Sequence, residues 1–173
     1  MKLLVRRVAA YLLDILILFA VLAPIGYLLQ RLAGLTMTQT GPEIWRTILW
    51  NFSLPSWLYF ILSDSSRLGA TFGKRLLWLQ VRKINDRRLS PGRALGRTAI
   101  KLLPWELVHI SAFALSQDLA QFSPLQIGGL IVANLLMVVY LGAAAATKGR
   151  RSVHDFVVRT LVRPIREPEG RIV

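Results

Sequence analysis

A long apolar run near the N-terminus constrains the fold of this chain more than any other feature. It extends from Val8 to Leu29 and contains one carboxylate, Asp14. A helix of that length can cross a hydrocarbon core of roughly 30 Å. On insertion scales a carboxylate at the bilayer centre costs about 3 kcal/mol. Asp14 therefore needs a partner, a proton or a function.

Three further segments are apolar enough to span a membrane, and the third of the four is the weakest because it is short and polar. With 54% hydrophobic residues and a net charge of +13, the composition is typical of a membrane protein with basic loops. We therefore predict an all-α membrane protein that forms one domain over 1–163, followed by a flexible tail over 164–173. The four predicted spans are about 8–29, 44–62, 102–116 and 125–146.

The distribution of Lys and Arg predicts the orientation of these helices. All 22 of them except Arg31 and Arg46 lie near the N-terminus, in the segment 63–101 or after Ala146. The positive-inside rule then places both termini and the segment 63–101 in the cytoplasm. A bacterial cytoplasmic (inner) membrane fits this pattern. Because the asymmetry accounts for the positive charge, we predict no nucleic-acid partner.

The segment 63–101 has local structure of its own. Asn85-Asp86 is a turn signal and predicts a short hairpin between Leu79–Val81 and Leu89, although the residues 76–90 read equally as helix or strand. Ser90-Pro91 predicts a helix start. Five basic residues, two before this helix start and three after it, form a further candidate site. They are predicted either to contact anionic lipid head groups from an interfacial helix or to form a dedicated anion site. They are Lys74, Arg75, Arg93, Arg97 and Lys101.

Three blocks of this sequence resemble the RDD family of membrane proteins. They are RVAAYLLD at 7–14, GATFGKRLL at 69–77 with LSPGRA at 89–94, and SVHDFVVRT at 152–160. The turn 85–88 departs from the family pattern, which has a glycine there. The resemblance implies a multi-pass membrane protein, for which transport of ions or small solutes is suggested. The family is named for one arginine and two aspartates, and the resemblance assigns these namesake charges to Arg7, Asp14 and Asp155.

Asp14, Glu106 and His109 are the candidates for chemistry within the membrane. Together they could bind a cation or relay protons, since ionisable groups at that depth are usually functional. Alternatively, protonated Asp14 makes a structural hydrogen bond to another helix, and Glu106 pairs with Lys101 or Arg97 at the inner surface. A single Glu-x-x-His spacing predicts neither a metal site nor a cofactor.

Asp155 is expected to fasten the C-terminal segment by a charged contact with Arg7 or with the turn 73–75. The functional prediction is a transporter-class protein for protons, small cations or a small solute, and not an enzyme. The alternative is a non-transporting accessory or assembly factor for another membrane complex. Four helices make a narrow bundle, so we expect a homo-oligomer or a membrane-protein partner.

Overall fold

Seven α-helices and two short strands make up the computed structural model, which describes residues 2–34, 40–115 and 121–165. Helix α1, Lys2–Leu32, and helix α6, Pro124–Ala146, are long and apolar enough to cross a membrane. Their large apolar side chains are mostly exposed, as expected for helices that face lipid. The prediction of a mostly helical chain is confirmed.

The second predicted span is a run of three helical pieces. These are α2, Gly41–Ile48, a π-helical turn, Leu49–Ser53, and α3, Leu54–Ser65. Pro55, the second residue of α3, cannot donate a backbone hydrogen bond. A π-helical turn absorbs such a gap in the ladder while the helix continues.

The interfacial helix and the third span, predicted as separate, form one continuous helix. Helix α5 covers Pro91–His109 and continues as a π-helical turn, Ile110–Ala114. It begins as the sequence predicts, with Ser90 at the N-cap and Pro91 at the first helical position. The break predicted before 102 is wrong, because no helix-ending signal separates Lys101 from Leu102. Residue 116, the predicted end of this span, lies outside the described residues.

The predicted local hairpin is wrong as well, since its two candidate strands do not pair. Strand β1, Leu79–Lys83, pairs antiparallel with β2, Thr160–Pro164, which brings Val81 opposite Val162. Asp86 does form a tight turn, with its amide donating to the carbonyl of Lys83. The chain then enters α5 rather than returning along β1. The chain is thus not purely α-helical.

The C-terminal segment is part of the fold beyond the domain end predicted at 163. Strand β2 runs to Pro164, and the Ile165 amide donates to the carbonyl of Trp78. The remainder of the predicted flexible tail, 166–173, lies outside the described residues.

Two apolar clusters position the polar groups described below. One joins the sheet to the start of α1 and α5 through Ala10, Val81 and Ala94. The other packs Leu18, Phe60 and Leu102 between α1, α3 and α5. Two short helices complete the fold, α4, Phe72–Leu76, before β1 and α7, Val153–Val157, before β2. The buried charges lie where these helices meet α1, α3 and α5.

Candidate functional site: a buried ionic network beside a cavity

Asp14 fastens α4 to α1. Its carboxylate accepts hydrogen bonds from the Tyr59 hydroxyl at 2.6 Å, the Thr71 hydroxyl at 2.6 Å and the Gly73 amide at 2.8 Å. The side chain is 1% exposed. A carboxylate that accepts several hydrogen bonds is stabilised in its charged form without a cation beside it. The partners of Asp14 thus come from α3, from the N-cap residue of α4 and from α4 itself, and they are neutral donors.

Gly73 allows this attachment because α4 lies directly against the backbone of α1. A Cβ added at Gly73 would lie 2.2 Å from the carbonyl oxygen of Ala10. Only glycine permits so close an approach between two backbones. The second glycine of the block at 69–77 is therefore required by the contact with α1.

Asp64 is the centre of a second set of contacts. It is fully buried and binds the Lys74 ammonium and the Arg97 guanidinium, each at 2.5 Å. Burial lowers the pKa of Lys74, and the adjacent Asp64 carboxylate opposes that effect. Asp64 was missed in the sequence. The sequence did carry a signal for this role, because Asp64 lies just after the predicted span 44–62. The basic residues of the segment 63–101, which require a negatively charged partner, follow it.

Asp155 holds the C-terminal segment against α1 and α5. It binds Arg7 at 2.5 Å and the Nε of Arg97 at 3.0 Å, and it accepts from the Thr160 hydroxyl at 2.9 Å. Burial alone would raise its pKa, but the guanidinium groups of Arg97 and Arg7 hold that pKa well below its usual range. The structure thus brings Arg7 and Asp155 together and places Asp14 elsewhere.

His154 completes this end of the network as a neutral side chain. Its Nε2 lies 2.9 Å from the Arg7 guanidinium, which can only donate, so Nε2 accepts and Nδ1 carries the proton. Burial lowers the pKa of His154 well below its usual value, while the Asp155 carboxylate opposes that shift.

Arg97 links the two carboxylates and defines what we call the ionic network. It is 1% exposed and fully paired between Asp64 and Asp155. The prediction that Arg97 and Lys74 contact lipid head groups is therefore wrong, because both side chains turn inward to buried carboxylates. The ionic network consists of Arg7, Asp64, Lys74, Arg97 and Asp155.

The other predicted lipid contacts differ from one another. Arg75 is exposed, with its Nε donating to the Ala70 carbonyl, and Arg93 is partly exposed. Lys101 lies with its ammonium over the Phe60 ring, 3.2 Å from the centroid, and 4.6 Å from the centroid of Tyr11. Among the described residues no carboxylate pairs with Lys101. It is held by cation–π contacts alone.

A cavity of about 410 Å³ lies beside the ionic network, between α1, α5 and α6. We call it the central cavity. Its charged lining comprises four cations, namely Arg7, Lys74, Arg97 and Lys101, and one carboxylate, Asp14. Neutral polar groups come from Tyr11, Tyr140, Ser152 and His154, and apolar side chains of α1, α5 and α6 line the rest. Ligand sites in proteins commonly have this size and this mixture of apolar wall and few polar groups.

Glu106 and His109 form a separate site. Glu106 accepts from the Ser53 hydroxyl at 3.1 Å and from the Trp57 indole at 3.0 Å. The His109 ring packs edge-on against Trp105, with 4.8 Å between centroids. The predicted relay with Asp14 is not assembled, since neither residue is among the partners of Asp14. Glu106 is also not paired with Lys101 or Arg97.

A comparison with protein-family profiles matches residues 2–159 to the RDD family. The chain belongs to the RDD family. Members of this family are membrane proteins, and the apolar helices α1 and α6 agree with that assignment. Neither the curated proteins nor the solved structures compared with the chain include a match. The matched range includes all three namesake charges and the block at 69–77.

Proposed function

We propose that this RDD-family protein is a transporter-class protein that takes an anionic solute into the central cavity. The observation that carries the proposal is the charge around that cavity. The ionic network, taken together with Asp14 and Lys101, contains four cations but only three carboxylates. The carboxylates are Asp14, Asp64 and Asp155. Of these four cations, Lys101 is the one that pairs with no carboxylate in the part of the chain that the structure describes. Lys101 is partly buried. A charge that is withdrawn from water without compensation is unfavourable, so an anion in the cavity is favoured.

The same geometry argues against protons or small cations as the solute. Asp14 already accepts from two hydroxyl groups and one amide, which leaves it poorly placed to take up and release a cation. A cation entering the central cavity would also meet the ammonium of Lys101. We therefore prefer an anion to the cation or proton expected from the sequence.

A second cavity supports passage across the protein. It has a volume of about 420 Å³ and is lined by residues of α1, the second helical run and α5, among them Asn51 and His109. Trp105 lines both this cavity and the central cavity. We therefore place the boundary between the two cavities at Trp105, which packs against Phe52 at 6.0 Å between ring centroids.

The proposed topology has four spans with both termini in the cytoplasm of a bacterial inner membrane. Its support is the position of the ionic network along the chain. Arg7 lies near the start of α1, Asp64 near the end of α3, and Asp155 just beyond α6. These contacts gather the start of α1, the segment 63–101 and the segment directly after α6 on one side, which is also the side rich in Lys and Arg.

The test is transport by purified protein in liposomes. We would follow entry of chloride and inorganic phosphate, and transbilayer movement of a fluorescent phosphatidylglycerol, beside proton and sodium flux. Anion or anionic-lipid movement that falls about ten-fold in Lys101→Met supports the proposal, since loss of one charge contact is worth about that factor. Lys83→Met, on β1 and outside the central cavity, is the matched control. Proton or sodium flux that survives Lys101→Met, without anion movement, contradicts it.

The second candidate function is a non-transporting accessory that assembles with another membrane protein or with further copies of itself. One observation favours it: Arg7, Asp14 and Asp155 all make structural contacts. Since Lys74 is buried, an exposed side chain such as Arg75 would have to make the contact with the partner protein. Co-purification of a stoichiometric partner that is lost in Arg75→Glu, with no transport, would favour this function.

A further inference from the structure

The central cavity is divided into a charged end and an apolar end. The charged end is formed by Arg7, Lys74, Arg97 and Lys101, together with the carboxylate of Asp14. The apolar end lies between α1 and α6, which supply Leu12, Ile15, Met137 and Leu141. A ligand that fills the whole cavity must therefore be amphiphilic.

The apolar end opens sideways between α1 and α6. Helix α6 packs against α5, and α1 packs against α4, but α1 and α6 do not pack extensively against each other along their described lengths. Leu12 and Leu141 line the cavity and are nevertheless 55% and 54% exposed. Since α1 and α6 are the two helices most suited to cross the membrane, this opening faces the hydrocarbon region.

Lys101 determines the charge of the ligand. It is the cation of the cavity that no carboxylate neutralises within the described residues, whereas Arg7, Lys74 and Arg97 are all paired. Its contacts are the faces of Phe60 and Tyr11, which leave the ammonium without an acceptor for its protons. A phosphate oxygen supplies both the missing negative charge and the missing acceptor.

We propose that the central cavity binds an anionic phospholipid of the bilayer, with its phosphate at Lys101 and its chains between α1 and α6. The inference rests on the proposed function, because it concerns the same cavity, and it names the class of the ligand. Free phosphate would satisfy Lys101 but would leave the apolar end unfilled. A lipid satisfies both ends and enters through the lateral opening without crossing water.

The test is binding of short-chain lipids to the full chain in a neutral detergent, measured by native mass spectrometry. The probes are dioctanoyl phosphatidylglycerol, zwitterionic dioctanoyl phosphatidylcholine and inorganic phosphate. We expect phosphatidylglycerol to bind about ten-fold more tightly than phosphatidylcholine, because its net negative charge neutralises Lys101, whereas the choline ammonium of phosphatidylcholine cancels the charge of its own phosphate. Lys101→Met should remove this preference, Lys101→Arg should retain it, and Lys83→Met should leave it unchanged.

A second variant addresses the apolar end. Leu141→Trp adds volume to the cavity wall while leaving Lys101 in place, and it should weaken phosphatidylglycerol binding about ten-fold. Equal binding of the two lipids, or a preference that persists in Lys101→Met, overturns the inference. Inorganic phosphate that competes as well as the lipid overturns it in favour of a free-anion site.

These outcomes separate the inference from the proposed function. Lipid binding that depends on Lys101, without any transport in liposomes, would refute the transporter and leave the lipid site standing. Transport of small anions without lipid preference would do the reverse. Circular dichroism and a monodisperse gel-filtration peak establish whether Lys101→Met is folded. If Lys101→Met is not folded, the two separate variants Lys101→Arg and Leu141→Trp decide the inference.

Discussion

Asp155→Asn is expected to lower the stability of the protein by about 3–5 kcal/mol, the range for breaking a buried ion pair by removing one partner. The fully buried carboxylate binds Arg7 and Arg97 and accepts from Thr160 and the Ser152 amide. Asparagine keeps the shape but leaves both guanidinium groups without that negative charge. Its amide NH₂ also has to face one of four donors, so at least one hydrogen bond is lost.

The assay is the temperature at which half of the monodisperse protein is lost when detergent samples are heated and then separated by gel filtration. For a chain of this size each kcal/mol shifts the midpoint by about 2–4 °C, so Asp155→Asn should lower it by about 6–20 °C.

Asp86→Asn is the control. Its ion pair with Arg163 at 2.7 Å is exposed, with the Asp86 side chain 60% accessible, so it contributes only about 0–1 kcal/mol. If the two variants melt within error of each other, the argument that the ionic network stabilises the fold is refuted.

Two further predictions concern the elements around that network. Gly73→Ala should destabilise the protein by about 1–3 kcal/mol in the same melting assay, because the added Cβ meets the carbonyl oxygen of Ala10. Gly92→Ala is the control, since a Cβ at Gly92 enters open space and should not destabilise the protein. Equal melting midpoints for the two variants would contradict the close approach of α4 to α1. His154 binds a proton more readily when unfolded, because its folded pKa is lowered, so its contribution to stability is present above about pH 6.5 and is lost as the pH falls below it. The wild-type protein should thus lose stability between pH 7 and pH 5 more steeply than His154→Gln, and parallel profiles would show that folding does not lower the pKa of His154.

The helical segments could be predicted from the sequence, and so could the requirement of Asp14 and Asp155 for partners. The apolar runs predict α1 and α6 to within a few residues at most ends, and Ser90-Pro91 predicts the start of α5. These features depend on local properties, namely hydropathy and the backbone preferences of proline and of capping residues. The prediction of an Arg7–Asp155 contact rests on a similar argument, since a charge beside an apolar segment requires an opposite charge.

The strand pairing and the partners of Asp14 were not readable in this way. Strand β1 finds its partner in Thr160–Pro164, far along the chain, while the local turn signal at Asp86 pointed to a nearer one. Asp14 is held by two hydroxyl groups and a backbone amide. Neutral donors of that kind occur throughout any sequence, so nothing marks the ones that a carboxylate will use.

By itself the sequence determined a basic, mostly helical membrane protein of the RDD family with charges that had to be neutralised near one end of its helices. Only the tertiary structure decided which charges meet, because ion pairs depend on distance in space and the partners come from well-separated segments. It turned Arg97 from the expected lipid-facing stripe into the link between Asp64 and Asp155. It also left Lys101 unpaired beside a cavity, a property that depends on where every other charge has gone.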